Sequence, residues 1–482
     1  MSEELNANRS SGIPWWPTVI CTSLAGGMGW GIRGQYGHET GAMIAGVLVC
    51  LVIVLTLCRN TNALTAARAV ALGTIAMGFG GTETYGQTIG LTQNPEMIGN
   101  WSAFAWGMLG LAIKGSVWIG FCGLFLGMGL GGKRYRAHEM LAVMLGALLA
   151  YKVGVMLLNS PYDLASRQLP RIYFSATWEL YPNQADPKPR YEAWGGIWFA
   201  MLFVMAYAGM LKKDGLAWRL GLWGLLGGAL GFPLGQCVQA YHAWNAESFT
   251  EGVWKILNWW NCMETTFGLT MGAILGLGAW LHRARIRPAE YERESYMEWP
   301  IEWALLFIHC SLVVFADVVI PFKSIEAFYD LGLIMGVIPI VAVAGGRWWP
   351  YLTVFPVTLL PIAGKTVYGL AHDEQVISMP LGLAIYVVIP IAAAHILMFY
   401  FLFLSRERQT SVRFASSALL FCAWVYFLLN YAIFRFPWPW ETWTARTPNA
   451  IVFAICLVAL TALAIAARGE QSKPSNVSNS TG

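Results

Sequence analysis

Long unbroken apolar runs, residues 44–58 and 450–467 among them, constrain this chain more than any other feature. Lipid offers backbone amides no water to bond, so only helices and closed barrels satisfy a polypeptide there. A barrel strand alternates apolar and polar residues over about ten positions. The runs here are continuous, so helices are the solution. The remaining sequence agrees: 56% of the 482 residues are hydrophobic and 12% charged, a balance that would expose very large apolar patches in water. The expected fold class is all-α, a polytopic transmembrane bundle of about fourteen spans, and no fewer than about twelve, at about twenty residues per span.

The candidate spans are 13–31, 39–58, 69–89, 100–131, 139–158, 193–211, 218–241, 255–281, 299–322, 330–345, 349–371, 376–403, 413–434 and 449–467. Cationic loops resist translocation. The clusters Arg59/Arg68, Lys133/Arg134/Arg136, Lys212/Lys213/Arg219, Arg283/Arg285/Arg287 and Arg406/Arg408/Arg413 are separated by even numbers of these spans, so all fall on one side. That side is expected to be the cytoplasm of a cell (inner) membrane, with both termini there. The segment 159–192 is the one long external loop, and its Trp, Tyr, Pro and Arg content suits a lid or an interfacial segment. The organisation expected is a cytoplasmic tail (1–12), an eight-helix unit (13–281), a cytoplasmic linker (282–298), a six-helix unit (299–467) and a disordered tail (468–482).

A Gly-Gly pair followed by Gly-Gln occurs three times: Gly26-Gly27 to Gly34-Gln35, Gly80-Gly81 to Gly86-Gln87, and Gly227-Gly228 to Gly235-Gln236. Returning segments begin Glu39-Thr40, Glu264-Thr265 and Glu192. Asn100-Trp101 and Asn258-Trp259 also match, with Gly110 and Gly268 at equal offsets behind them. This reads as a degenerate hairpin repeat in the first eight helices, an arrangement that places transporter sites at the shared interface. Chance resemblance among glycine-rich packing helices is the alternative.

Ionisable residues are costly inside a membrane and mark function by default. Arg33, Gln35, Tyr36, His38 and Glu39 form the densest polar motif, framed by glycines; an Arg33–Glu39 pair closing a hairpin is its plainer reading. Thr82, Glu83, Thr84, Tyr85 and Gln87 interrupt the third span, and Lys114 in the fourth needs a partner, for which Glu83 is the first candidate. Gln236, Gln239, Tyr241, His242, Trp244 and Asn245, then Asn258, Trp259, Asn261 and Glu264, set amides and carboxylates beside aromatic faces, which suits a sugar. Many of the 24 tryptophans will serve only as interfacial anchors. In the C-terminal half the notable polar residues are His309, Asp317, Lys365, His372, Asp373, Glu374 and His395; a lone intramembrane histidine is more often a packing residue than a proton relay.

Several classes are excluded by motif. No P-loop, H-E-x-x-H, G-x-S-x-G or potassium-filter sequence occurs. The net charge of +4 comes without a tract fit for nucleic acid. The nine cysteines include no C-x-x-C pair, though Cys237 and Cys262 fall near the external ends of neighbouring helices, where a disulfide could form. No cofactor or metal is implied. The leading expectation is a secondary transporter of a polar, sugar-like solute, coupled to H⁺ or Na⁺, with the lipid bilayer and that solute as its partners. The substrate site would comprise Arg33, Gln35, His38, Glu39, Glu83, Tyr85, Gln87, Lys114, Gln236, Gln239, His242, Asn258, Trp259, Asn261 and Glu264. A membrane transferase acting on lipid-linked sugar is the second, with Glu39 or Glu83 as base and Arg33, Arg167 and Arg171 gripping a diphosphate. A scaffold or channel subunit is the third.

Overall fold

The computed structural model describes residues 14–34, 41–59, 61–83, 85–175, 189–287, 297–317, 332–346, 370–371, 375–389, 392–393, 396, 410–434 and 447–471. Most of these residues are helical, with no strand among them. The principal helices are α1 (Trp15–Arg33), α2 (Ala42–Leu57), α3 (Ala63–Met77), α4 (Gly86–Gln93), α5 (Trp101–Leu130), α6 (Ala137–Leu158), α7 (Trp194–Ala206), α8 (Gly215–Trp244), α9 (Trp259–Leu281), α10 (Trp299–Asp317), α11 (Val337–Gly345), α12 (Ser411–Phe434) and α13 (Thr447–Gln471).

Seven helices are long and apolar enough to cross a membrane: α3 with the turn behind it, α5, α6, α7 with its π-helical extension to Leu211, α8, α12 and α13. Lipid-facing side chains follow that assignment, with Leu149 and Met156 on α6, and Val458 on α13, each more than 65% exposed. Among the described residues these seven are the spans that length and composition establish out of the fourteen expected. α2 is apolar throughout but only 16 residues long, about 24 Å at 1.5 Å per residue. Residues 332–345 form a still shorter apolar stretch. Residues 349–369 of one expected span and part of the one expected at 376–403 lie outside the described residues.

Helices α1, α2, α3, α5, α8 and α9 pack in that cyclic order, each against the next and α9 back against α1. The ring can close because glycines let backbones touch. A methyl on Gly26 of α1 would overlap the Gly268 carbonyl of α9, and one on Gly228 of α8 would overlap that of Gly115 on α5. Without water to drive helices together, such close packing is what holds membrane helices in contact. α2 is buried from Ala42 to Thr56, enclosed by its ring neighbours and by α12 and α13. α6 and α7 form an outer pair beside α5 and α8.

The described basic segments gather at one end, as their spacing leads one to expect; Arg406 and Arg408 lie outside the described residues. Arg287 N–H bonds the Leu130 carbonyl at 3.0 Å, Lys212 pairs with Glu139 at 2.8 Å, and Tyr135 donates to Asp214 at 2.9 Å. Arg68 bonds the Gly346 carbonyl at 2.5 Å, and Ser411 N–H bonds that of Thr61 at 3.1 Å. The Cys237–Cys262 disulfide is not formed: both thiols are free, and Cys262 donates instead to Asn449 at 3.6 Å.

Candidate functional site

The third span breaks where its polar turn predicts. After Met77 the chain tightens into a 3₁₀ turn (Gly78–Thr82), passes Glu83 in extended conformation, and resumes as α4 at Gly86. Gly80 permits this course, because any side chain there would collide with the Trp118 indole, whose Nε1 donates to the Gly80 carbonyl. The break sends Glu83 and Tyr85 into two separate buried charge clusters.

Lys114 is the centre of the first cluster. Its ammonium lies 3.1 Å from Glu83, 2.8 Å from Glu192 and 2.9 Å from Thr88 Oγ1, with all three charged side chains out of contact with solvent. Glu83 is thus the partner its position implied; Glu192 is a second one. Each carboxylate also takes donors from the long loop and its exit. Glu83 Oε2 accepts the Ala193 N–H at 2.9 Å, while Glu192 accepts the Phe174 N–H at 3.0 Å and the Ser175 hydroxyl at 2.5 Å. The loop therefore dips into the bundle. Phe174 packs on Trp106 and Trp194 with centroids at 4.8 and 5.4 Å, in space that Gly110 leaves free. Tyr173 pins the two loop arms by donating to the Arg190 carbonyl at 2.7 Å, and Gln87 accepts the Arg190 N–H at 2.8 Å.

The second cluster joins α1 to α9. Arg33 donates to the Tyr85 hydroxyl at 2.6 Å, Tyr85 donates to Glu264 Oε1 at 3.0 Å, and Arg33 itself stands 3.6 Å from that oxygen. Trp260 donates to the same oxygen at 3.1 Å. Aromatic faces enclose the guanidinium, with Trp30 at 5.4 Å and Tyr85 and Trp118 at 5.5 Å, the geometry of a cation–π contact. Below it Trp118, Phe232 and Phe267 continue the stack, Phe232 and Phe267 being parallel at 4.8 Å. Gly34 ends α1 directly against the Glu264 carboxylate, where a methyl group would overlap it. Arg33 has Glu264 as its ionic partner here; Glu39, with Gln35 and His38, lies outside the described residues.

The remaining candidates divide by role. Asn261 donates to the Gly31 carbonyl at 2.6 Å and Gln236 to Thr92 Oγ1 at 2.8 Å. The side-chain carbonyl oxygens of Gln236, Gln239 and Asn261 are buried with no hydrogen-bond donor among the described residues. Asn258 is a helix cap, accepting the Asn261 N–H at 3.1 Å, as Asn100 does for Ala103 at 3.0 Å. His242 stacks on Trp259 at 4.4 Å beside Phe249 and Trp254. That partly exposed aromatic patch matches the interfacial belts of membrane proteins. His309 is fully buried on α10, and Lys365, His372, Asp373, Glu374 and His395 lie outside the described residues.

Glu192, Ser175, Thr88, Trp30, Trp118 and Trp260 belong to the clusters without having been singled out as site residues. Helical spacing carried a signal for two of them, since Trp30 precedes Arg33 by three residues and Trp260 precedes Glu264 by four, each pair sharing a helix face.

Comparison with known protein families, with characterised proteins and with solved structures yields no match, so the chemistry of these clusters stands on its own.

Proposed function

We propose that this protein is a secondary transporter for a polar, hydroxyl-bearing organic solute in the cell membrane. The observation that carries the reading is the broken third span, whose Glu83 and Tyr85 tie it to two buried charge clusters on opposite partners. Broken helices with charges at mid-depth are how transporters build a polar path through lipid. The buried, donor-free oxygens of Gln236, Gln239 and Asn261 support a solute rich in hydroxyl donors, because buried acceptors are otherwise bonded. Collection of the basic segments at one end supports a cytoplasmic orientation for that end, and hence an external one for the 159–192 loop. The full count of about fourteen spans and the hairpin repeat belong to the same reading. The repeat is supported by the matching asparagine caps of α5 and α9 and by the glycine contacts of α1 with α9 and of α8 with α5.

A transferase needs a carboxylate open to an acceptor hydroxyl. Glu83 faces Lys114 with one oxygen and accepts the Ala193 amide with the other, which favours transport.

The test is uptake by the full chain in proteoliposomes, against a panel of sugars, polyols and amino acids under imposed ion gradients. Gradient-driven uptake of a hydroxyl-bearing solute, lost in Glu264→Gln, is the expected result. Unchanged uptake in a variant carrying both Glu83→Gln and Glu264→Gln would take these clusters out of the mechanism.

A further inference from the structure

Charge arithmetic in the first cluster leads further. Glu83 and Glu192 share Lys114, which among the described residues is the cation paired with either. Among the described residues the other groups facing them are formally neutral: Thr88 on α4, Tyr151 on α6, Tyr173 and Ser175 on one loop arm, Tyr191 and the Ala193 amide on the other. With both carboxylates ionised, the buried cluster would carry one uncompensated negative charge, a state that low-dielectric surroundings penalise heavily. One proton removes that charge. Glu192 already receives three donors, from Lys114, Phe174 and Ser175, which is the pattern that stabilises a carboxylate. The proton therefore rests with Glu83.

We propose that the Glu83–Lys114–Glu192 cluster is a one-proton site and that H⁺ is the ion coupled to movement of this protein. The physiological use rests on the transport reading; the occupancy of the site does not. In the packed arrangement the cluster holds Glu83 as the acid, Lys114 as ammonium and Glu192 as carboxylate. When the described arms at Tyr173–Ser175 and at Glu192 part from α5, water enters and solvates Glu192. The Glu83 O–H bond then breaks heterolytically, its proton passes to water, and the carboxylate left behind pairs with Lys114 alone. Repacking takes one proton back. Sodium does not suit this site, because the carboxylate oxygens already face N–H and O–H donors, whereas a bound metal ion needs several free oxygens.

Infrared difference spectroscopy of the full chain in lipid nanodiscs tests the occupancy directly, with the proton as the only ligand. Wild type at neutral pH should show the C=O stretch of a buried carboxylic acid. Either Glu83→Gln or Glu192→Gln alone should abolish it, since each leaves a balanced pair, while Glu264→Gln should leave it in place. The second measurement is hydrogen exchange at the Phe174 amide, corrected for intrinsic rate. Its protection should fall by up to about tenfold per pH unit as pH rises in wild type, the slope of a single linked proton, and should be flat in both glutamine variants. Absence of the acid band in wild type, its survival in both variants, or an unchanged pH slope in them would overturn the proposal. Failure of solute uptake with the band and slope intact would count against transport and leave the proton site standing.

Discussion

Glu83 and Tyr85 stand two residues apart in one broken span and hold different parts of the molecule: Glu83 reaches Lys114 at 3.1 Å, and Tyr85 reaches Glu264 at 3.0 Å. An unbroken helix would set such residues about 200° apart, but its own backbone bonds would fix their orientation. The extended step at Glu83 lets each side chain be placed independently, so a shift of α4 relative to α3 would pull on both clusters at once.

Removing the cation at the centre of the first cluster should be severe. Lys114→Met leaves Glu83 and Glu192 buried without it and should cost about 3–5 kcal/mol, read as a fall in Tm in detergent. Adding Glu83→Gln and Glu192→Gln to that variant should recover most of the loss, because the penalty comes from unmatched charge. A triple variant no more stable than Lys114→Met would show that lysine packing, not charge, is what matters.

Arg33 should not be replaceable by lysine. Its planar guanidinium lies among three aromatic rings while bonding Tyr85, a combination an ammonium cannot reproduce. Uptake in proteoliposomes should fall by about tenfold or more in Arg33→Lys with little change in Tm. Full activity in that variant would mean that only the positive charge is used.

Two glycine substitutions should behave oppositely. Gly228→Ala drives a methyl into the Gly115 carbonyl and should destabilise the α5–α8 contact by ~1–3 kcal/mol. Gly86→Ala meets only the Arg190 guanidinium at 3.7 Å and should stay within about 0.5 kcal/mol of wild type. Thermal unfolding of both under one lipid condition decides whether backbone contact holds the ring together.

The outer loop carries a titrating turn. Ser166 donates to Asp163 at 2.6 Å and the Ala165 N–H does so at 2.9 Å, and these bonds hold the Asp163 carboxyl below the ordinary aspartate range. A depressed value stabilises the turn above the ordinary carboxylate range and loses that contribution as pH falls through the lowered value. Protection of the paired Asp163 and Gln168 amides, which bond each other's carbonyls at 2.9 Å, should therefore weaken on acidification. Asp163→Asn should remove the pH dependence; an equal slope in wild type and variant would assign it elsewhere in the loop.

The sequence made some of this legible for definite reasons. A lysine in mid-span must find an acid, and Glu83 was the acid on the preceding helix, so that pairing followed from cost alone. The basic segments announced a common end through their spacing. Glu192 was visible as a polar residue before α7, but nothing local reveals that the loop folds inward to set it on Lys114. Arg33 and Glu264 were each conspicuous, yet 231 positions separate them, and helix packing rather than pattern brings them together. Trp30 and Trp118 were hidden by abundance, because 24 tryptophans dilute any one of them. The full span count is not legible for a related reason: apolar runs reveal what avoids water, not whether lipid or protein surrounds them.

That ambiguity has its sharpest case in α2. This uniformly oily helix has protein neighbours on every side among the described residues, so what matters there is girth and not greasiness. A bulky replacement such as Ile44→Phe has no soft boundary to swell into, whereas the same change at Leu149 merely displaces an acyl chain. Tolerance to size along α2 and α6 should accordingly differ even where their hydrophobicity is the same.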